Sequence, residues 1–251
     1  SAISPPEEIT QPDSLYISAL TFTAVLCNGE NTGTATVVAN GGTPNYSYAW
    51  SSGSPNDVAP NLIAGNYIIQ ISDINGCSRD SNIVVTQPDA LSASYIGGEV
   101  SCIGGSDGWA TVVVNGGVGP FNYLWENGTT LATISLVPED WYTVTITDAN
   151  LCVLIDSVNI LDPLQPFEID SLIITEITCR HADNGTITVL ATGGQLPYMY
   201  SNTNGQNMQS AIGFINLAPD TYSMYVKDAN GCWDTASITF VNPDSLYIDN
   251  I

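Results

Sequence analysis

The chain has 251 residues, with three basic side chains (Arg79, Arg180, Lys227) against 25 acidic ones and a formal net charge of -22. A field of that sign repels phosphate backbones and anionic headgroups, so nucleic acid and direct membrane insertion are set aside. At 44% hydrophobic and 11% charged residues the chain is too apolar for a disordered polyanion, and no apolar run approaches the roughly 18 residues of a membrane span.

The opening SAISPPEEIT has neither a basic nor a hydrophobic segment, so any signal peptide is expected to have been removed or to lie upstream. Short β-rich runs follow between glycine, proline and asparagine turns: LYISALTFT, GTATVVA, YSYAW, NYIIQIS and NIVVTQP. TVTIT and TITVL alternate in the strand period, and no stretch carries a helical apolar stripe. About six or seven strands in roughly 75 residues predicts an all-β protein of immunoglobulin-like β-sandwiches.

The whole pattern then returns. Cys27, Cys102 and Cys179 stand 75 and 77 residues apart, and their partners Cys77, Cys152 and Cys232 follow after 50, 50 and 53. Counted from the opening cysteine, glycine recurs six later (Gly33, Gly108, Gly185) and a Gly-Gly pair fourteen and fifteen later (Gly41-Gly42, Gly116-Gly117, Gly193-Gly194). Tyr67, Tyr142 and Tyr222 precede the closing cysteine by ten, and the three extra residues of the third copy fall around NTNGQNMQSAIG.

QPDSLYI at 11–17, QPDALSA at 87–93 and PDSLYI at 243–248 mark the joints. The reading is the end of a preceding repeat at 1–13, repeats at 14–88, 89–163 and 164–243, and the start of a following repeat at 244–251. The expectation is a window of a longer tandem array. Prolines in TQPDALSAS and LDPLQPFEI predict stiff joints and an extended rod.

Six cysteines in three evenly spaced pairs, with no C-x-x-C and one histidine, point to three intradomain disulfides in an oxidising compartment rather than to zinc or redox catalysis. Each would close a loop of about 50 residues and contribute on the order of 4 kcal/mol through the denatured state. DINGC, DANLC and DANGC before the closing cysteines resemble the start of a calcium loop but lack its distal ligands. The expected role is a hairpin turn, with Asn150 left-handed where Leu151 replaces glycine; calcium is retained as the one candidate cofactor.

Trp50, Trp125 and the three recurring tyrosines read as core. Trp109, Trp141 and Trp233 do not recur and are the candidate contact aromatics. His181 has no catalytic motif around it, and no catalytic residue is assigned.

The string CIGGSDGWATVVVNGG, the P-Y/F-x-Y-x-W segment, GxY and TDANGC, followed by a strand and proline, resembles the SprB-type repeat of large Bacteroidota surface adhesins. The resemblance covers nearly the whole chain. It departs where Asn202 replaces Trp50 and Trp125, and where PEDWY replaces IAGNY. It implies a cell-surface filament or stalk exported by type IX secretion and acting in cell adhesion, gliding motility or cell–cell contact, with no enzymatic activity. Its partners would be neighbouring repeats, copies of itself in a fibre, and surface glycans.

The resemblance also implies O-glycosylation at Asp-Ser/Thr triplets, here Ser14, Ser157, Ser171, Thr235 and Ser245. The alternatives are a carbohydrate-binding module array and an accessory region of a large secreted enzyme.

Overall fold

A computed structural model describes residues 11–180 and 182–244. The readings made for His181 and Ser245, and most of those for the two terminal segments, lie outside the described residues. Within them the chain forms eighteen strands and no helix.

The first repeat contains β1 (Tyr16–Thr23), β2 (Gly33–Asn40), β3 (Ser47–Trp50), β4 (Val58–Leu62), β5 (Gly65–Ser72) and β6 (Ser78–Val85). They form two antiparallel sheets, in the orders β1-β2-β4 and β3-β5-β6. In immunoglobulin lettering these are A-B-E and C-F-G, a constant-type sandwich without strand D.

The second repeat follows the same plan with β7 (Ser92–Gly98), β8 (Gly108–Asn115), β9 (Asn122–Trp125), β10 (Thr133–Val137), β11 (Asp140–Thr147) and β12 (Val153–Ile160). The third has β13 (Glu168–Thr175), β14 (Gly185–Thr192), β15 (Met199–Ser201), β16 (Gly213–Leu217), β17 (Thr221–Lys227) and β18 (Trp233–Thr239). Their sheet orders are β10-β8-β7 with β12-β11-β9, and β13-β14-β16 with β15-β17-β18.

Alternation builds these faces. In GTATVVAN of β2, Gly33, Ala35 and Val37 are buried while the threonines between them are half exposed, as the period of two requires. The first core gathers Val25, Ala35, Val37, Trp50, Leu62, Ile69, Ile71 and Val85. Trp50 and Trp125 are buried as their recurrence implied, and each indole donates to a backbone carbonyl, Asn56 at 2.9 Å and Leu131 at 3.0 Å.

Tyr67, Tyr142 and Tyr222 each donate a hydroxyl hydrogen bond four residues back, to the carbonyls of Ile63, Pro138 and Ala218. That is the tyrosine corner of immunoglobulin-like sandwiches. The strands β4, β10 and β16 were not singled out in the sequence. They are five residues long, and the VAPNL of β4 carries a proline and a left-handed Asn61 (φ 57°) at the bulge where it meets β2, so the β pattern is broken there.

Contacts divide the chain into two compact units. One runs through Ser94 and takes in Val112–Leu131 and Thr143–Asp156; the other takes Tyr95–Thr111, Ala132–Tyr142 and the chain from Ser157 on.

The disulfide pairing departs from the sequence reading. The bonds are Cys27–Cys152, with Cα atoms 5.7 Å apart, inside the first unit, and Cys102–Cys232, at 5.4 Å, inside the second. Each joins the opening cysteine of one repeat to the closing cysteine of the next, and Cys77 and Cys179 are free and exposed.

Strand direction is the cause. Gly33 pairs with Leu62, and a Cβ on Gly33 would meet Val85, so the loop carrying Cys27 lies at the Gly33, Leu62 and Val85 end of the sandwich. Cys77 closes the turn between β5 and β6, beside Ser72 at the other end. A strand of eight residues at about 3.3 Å each puts roughly 25 Å between the ends, several times the Cα separation a disulfide spans. The intradomain pairing of Cys27 with Cys77, Cys102 with Cys152 and Cys179 with Cys232 is therefore replaced by one bridge per joint.

Candidate functional site

The residues that recur most strictly meet at the joints between repeats. The closing turn is a three-residue hairpin loop. Asp73 N–H donates to Cys77 O at 2.9 Å and Gly76 N–H to Asp73 O at 3.0 Å, with Gly76 left-handed at φ 81°. This is a type I turn followed by a left-handed residue. In DANLC the left-handed residue is Leu151, at φ 69°, and not the expected Asn150; the loop geometry fixes the position regardless of side chain.

The aspartate that opens each turn clamps it. Asp73 Oδ1 accepts from Asn75 N–H and Cys77 N–H at 3.0 and 2.8 Å, while Oδ2 accepts from Thr43 N–H at 3.1 Å. Asp148 repeats this with Asn150, Cys152 and Val118 at 2.8, 2.9 and 2.9 Å. Asp228 accepts from Cys232 and Gln195, each at 2.8 Å.

All three carboxylates are buried. The Thr43 amide, supported by those of Cys77 and Asn75, holds Asp73 below the usual carboxylate range against the opposing effect of burial. For Asp148, burial pushes the carboxyl up, and the bonds from Val118, Cys152 and Asn150 together outweigh it, so the net direction is down. These oxygens face backbone donors, which marks the aspartates as turn clamps.

The clamp also explains the Gly-Gly pairs. The second glycine lies against the carboxylate: a Cβ on Gly42, Gly117 or Gly194 would come within 2.9, 3.1 and 2.5 Å of the aspartate Oδ2. The first lies against the incoming chain, where a Cβ on Gly41 or Gly116 would be 2.1 Å from the carbonyl of Ser14 or Ala90. Both glycines of each pair have positive φ, which L side chains rarely adopt.

The opening loop is tied by its own acceptor. Leu26 N–H donates to Thr32 Oγ1, Ser101 N–H to Asp107 Oδ1 and Thr178 N–H to Asn184 Oδ1, at 2.7, 2.9 and 3.2 Å. The Ser101 bonds hold Asp107 below the usual carboxylate range.

At the first joint, Cys27–Cys152 is flanked by hydrogen bonds from Asn150 Nδ2 to Leu26 O (2.9 Å), Asn28 Nδ2 to Pro88 O (3.0 Å) and Gly29 N to Gln87 Oε1 (2.9 Å). At the second, Cys102–Cys232 is accompanied by Gly104 N to Asp162 Oδ1 (3.3 Å) and Val100 N to Leu161 O (3.0 Å). The sequence marked the cysteines, and Asn150 as a turn residue, but not Asn28, Gln87 and Asp162. Of these, Asn150 bonds across the joint to Leu26 O, while Asn28, Gln87 and Asp162 tie the opening loop to the last strand's exit within their own repeat. The joint motif QPD around Gln87 was the one available sign.

An open groove follows each bridge. The first, about 480 Å³, is lined by Asn28, Glu30, Leu91, Leu151 and Val153; the second, about 370 Å³, by Ile103, Pro166, Phe167 and Trp233. Trp233 is 61% exposed and stacks on Tyr225 at 5.5 Å with 14° between the rings. Trp141 is equally exposed on β11. Trp109 on β8 lies over glycine, since a Cβ on Gly98 would meet its Nε1 at 2.6 Å. The structure does not gather these three indoles into one platform.

Of the candidate glycosylation residues, Ser14, Ser157 and Thr235 are exposed, and Ser171 is half-buried with its hydroxyl bonded to Asp170. Among the described residues no cluster of three or more His, Cys, Asp or Glu side chains is placed to hold a metal.

The family model of the SprB repeat matches residues 19–55, 99–130 and 171–207, once in each copy. In these three segments the chain is similar to the SprB repeat. Each match begins in the A or A–B region and runs through the opening cysteine, the Gly-Gly pair and strand C. No curated protein sequence matches the chain.

Among solved structures, the five N-terminal immunoglobulin domains of Sidekick-1 align over 93% of this chain and 60% of that one, at 9% identity and a TM-score of 0.40. An I-band fragment of titin aligns over 94% and 100%, at 12% identity and a TM-score of 0.37. The chain spans 37% of the Down Syndrome Cell Adhesion Molecule fragment it also matches, at 11% identity and a TM-score of 0.32. Similarity to the SprB repeat, on an immunoglobulin-like fold, fits a stalk or adhesion-type region of a surface protein.

Proposed function

We propose that the chain is a structural, adhesive stalk segment of a very large secreted bacterial surface protein, acting in surface attachment, gliding or cell–cell contact, with export by the type IX system. The observation that carries this reading is the overlap of the two disulfide loops, Cys27–Cys152 and Cys102–Cys232. A bridge inside one sandwich would protect that sandwich alone. A bridge across each joint also keeps neighbouring repeats together when the chain is pulled.

The consequence is mechanical. The shortest covalent path between the described ends runs through Cys27, across to Cys152, back to Cys102 and across to Cys232. That path is roughly a third of the full contour length at ~3.5 Å per residue. Disulfides of this kind belong to an oxidising, extracellular setting, and a net charge of -22 keeps such a stalk soluble. Glycans on exposed Ser14, Ser157 and Thr235 would add bulk to the stalk, with Ser171 and Ser245 as further acceptors.

Two measurements test this. Antibody raised against the chain is expected to label unpermeabilised cells that make the parent protein; label found after permeabilisation alone would overturn the reading. Pulled between its ends, the oxidised chain is expected to reach about a third of the extension of the reduced chain. Equal extensions would remove the mechanical argument.

One observation favours a second reading. Exposed Trp233, stacked on Tyr225 beside the Phe167 groove, has the form of a carbohydrate platform. Glycan-array binding abolished by Trp233→Ala but retained in Trp109→Ala would establish it, and no binding by the unmodified chain would dismiss it.

A further inference from the structure

We infer that Cys77 and Cys179 are the two halves of a further joint, and that each takes as its partner the complementary end of another such repeat. In both joints of this chain, an opening-loop cysteine bonds to the closing-turn cysteine of the repeat that follows. Cys77 is a closing-turn cysteine without its opening-loop partner, and Cys179 is an opening-loop cysteine without its closing-turn partner. Their chemistry is therefore complementary and directional.

Both free ends already have the form of the bonded ones. Cys77 N–H is held by Asp73 Oδ1 at 2.8 Å, as Cys152 is by Asp148 at 2.9 Å and Cys232 by Asp228 at 2.8 Å. Ala182 N–H donates to Cys179 O at 3.0 Å, as Glu30 and Gly105 do to Cys27 and Cys102 at 3.2 and 2.8 Å. The free turn differs from the docked turn of the first joint in one asparagine side chain, and both docked turns carry a further backbone bond, Ala149 N–H to Val118 O at 2.8 Å and Ala229 N–H to Gln195 O at 2.9 Å. Asn150 reaches across the joint to Leu26 O, whereas Asn75 folds back onto Thr43 Oγ1 at 2.8 Å. In the docked joint Asn75 turns to the carbonyl preceding the partner's opening cysteine.

The bond forms by thiol–disulfide exchange. The thiolate of Cys179 attacks a low-molecular-weight disulfide such as oxidised glutathione, giving a mixed disulfide and one released thiol. The Cys77 thiolate then displaces the second thiol, so two protons and two electrons leave the cysteines and the oxidant becomes two thiols. Because the interface joins unlike ends, a linked copy still offers one free end of each kind, and the chain can lengthen by further links. The assignment stands on the two joints themselves and not on where the protein resides.

The test uses the whole chain in a glutathione redox buffer, followed by non-reducing electrophoresis and peptide mapping. The unmodified chain is expected to give a ladder of dimers, trimers and longer species. Cys77→Ser alone and Cys179→Ser alone are each expected to stay monomeric, and an equal mixture of the two to give dimer and nothing longer. The linking peptide must contain Cys179 of one copy and Cys77 of the other, with Cys27–Cys152 and Cys102–Cys232 intact in both. A ladder-free unmodified chain, single variants that dimerise as readily as the mixture, or Cys77 found bonded to Cys27 would each overturn the inference.

Discussion

The first and third repeats share strand order, turn clamp and tyrosine corner, yet they fill their interiors differently. The first packs Trp50 against Ala59, Ile69 and Val85. The third has Asn202 where Trp50 would stand, and its core holds Phe214, Met224 and Phe240 at the positions of those three residues, with Tyr200 buried beside them. One large side chain has been exchanged for two enlarged ones, Phe214 for Ala59 and Phe240 for Val85, while Met224 nearly conserves the volume of Ile69. The lesson is that interior volume, and not the tryptophan itself, is what this sandwich requires.

The largest way to break the comparison is to remove what both repeats share. Reduction of the bridges, or the paired change Cys27→Ser with Cys152→Ser, is expected to cost up to about 5 kcal/mol for a loop of this length. Urea unfolding in excess reductant measures it, and an unchanged transition would show that the cores alone set stability.

Next is the tryptophan. Trp50→Ala is expected to lose about 3–5 kcal/mol and to unfold the first repeat, whereas Asn202→Ala at the matching position stays within about 0.5 kcal/mol. Equal losses would mean that volume compensation by Phe214 and Phe240 is not the explanation.

The second repeat sharpens the comparison through its closing turn. Leu151 is 79% exposed and left-handed, where the first and third repeats have Gly76 and Gly231. Leu151→Gly is expected to stabilise by about 1 kcal/mol, since a left-handed L residue costs that much and no packing is lost. Thermal unfolding reads the change, and a decrease in Tm would show that the leucine has a contact role.

The smallest effect is on acid stability. In the folded chain the carboxyls of Asp73 and Asp148 are held below the usual carboxylate range. Their stabilisation is therefore complete above the unfolded value, near pH 4, and is lost as pH falls through the lower folded values. In Asp73→Asn the amide turns an N–H toward the Thr43 donor. The Tm gap between this variant and the unmodified chain is expected to shrink from pH 6 to pH 2. A constant gap would mean that the carboxylate charge contributes nothing.

Much of the architecture was written in the repeats. A period near 75 residues exposed the tandem plan, alternation exposed most strands, and recurrence placed Trp50, Trp125 and the tyrosines in the core. The Gly-Gly pairs were visible as a pattern, but their reason was not. It lies in Asp73, Asp148 and Asp228, which approach from thirty or more residues away in the chain. Strand β4 escaped because Pro60 and Asn61 interrupt its β character.

The sequence by itself determined the repeat unit, the fold class and which residues are cysteines of the opening and closing kinds. It did not determine which opening cysteine meets which closing one. Within a tandem array the spacing is compatible with pairing inside a repeat and with pairing between neighbours, because every repeat offers the same two ends. Tertiary structure decided it: antiparallel strands carry the opening loop and the closing turn to opposite poles of one sandwich, and the nearest complementary cysteine is then supplied by the next repeat.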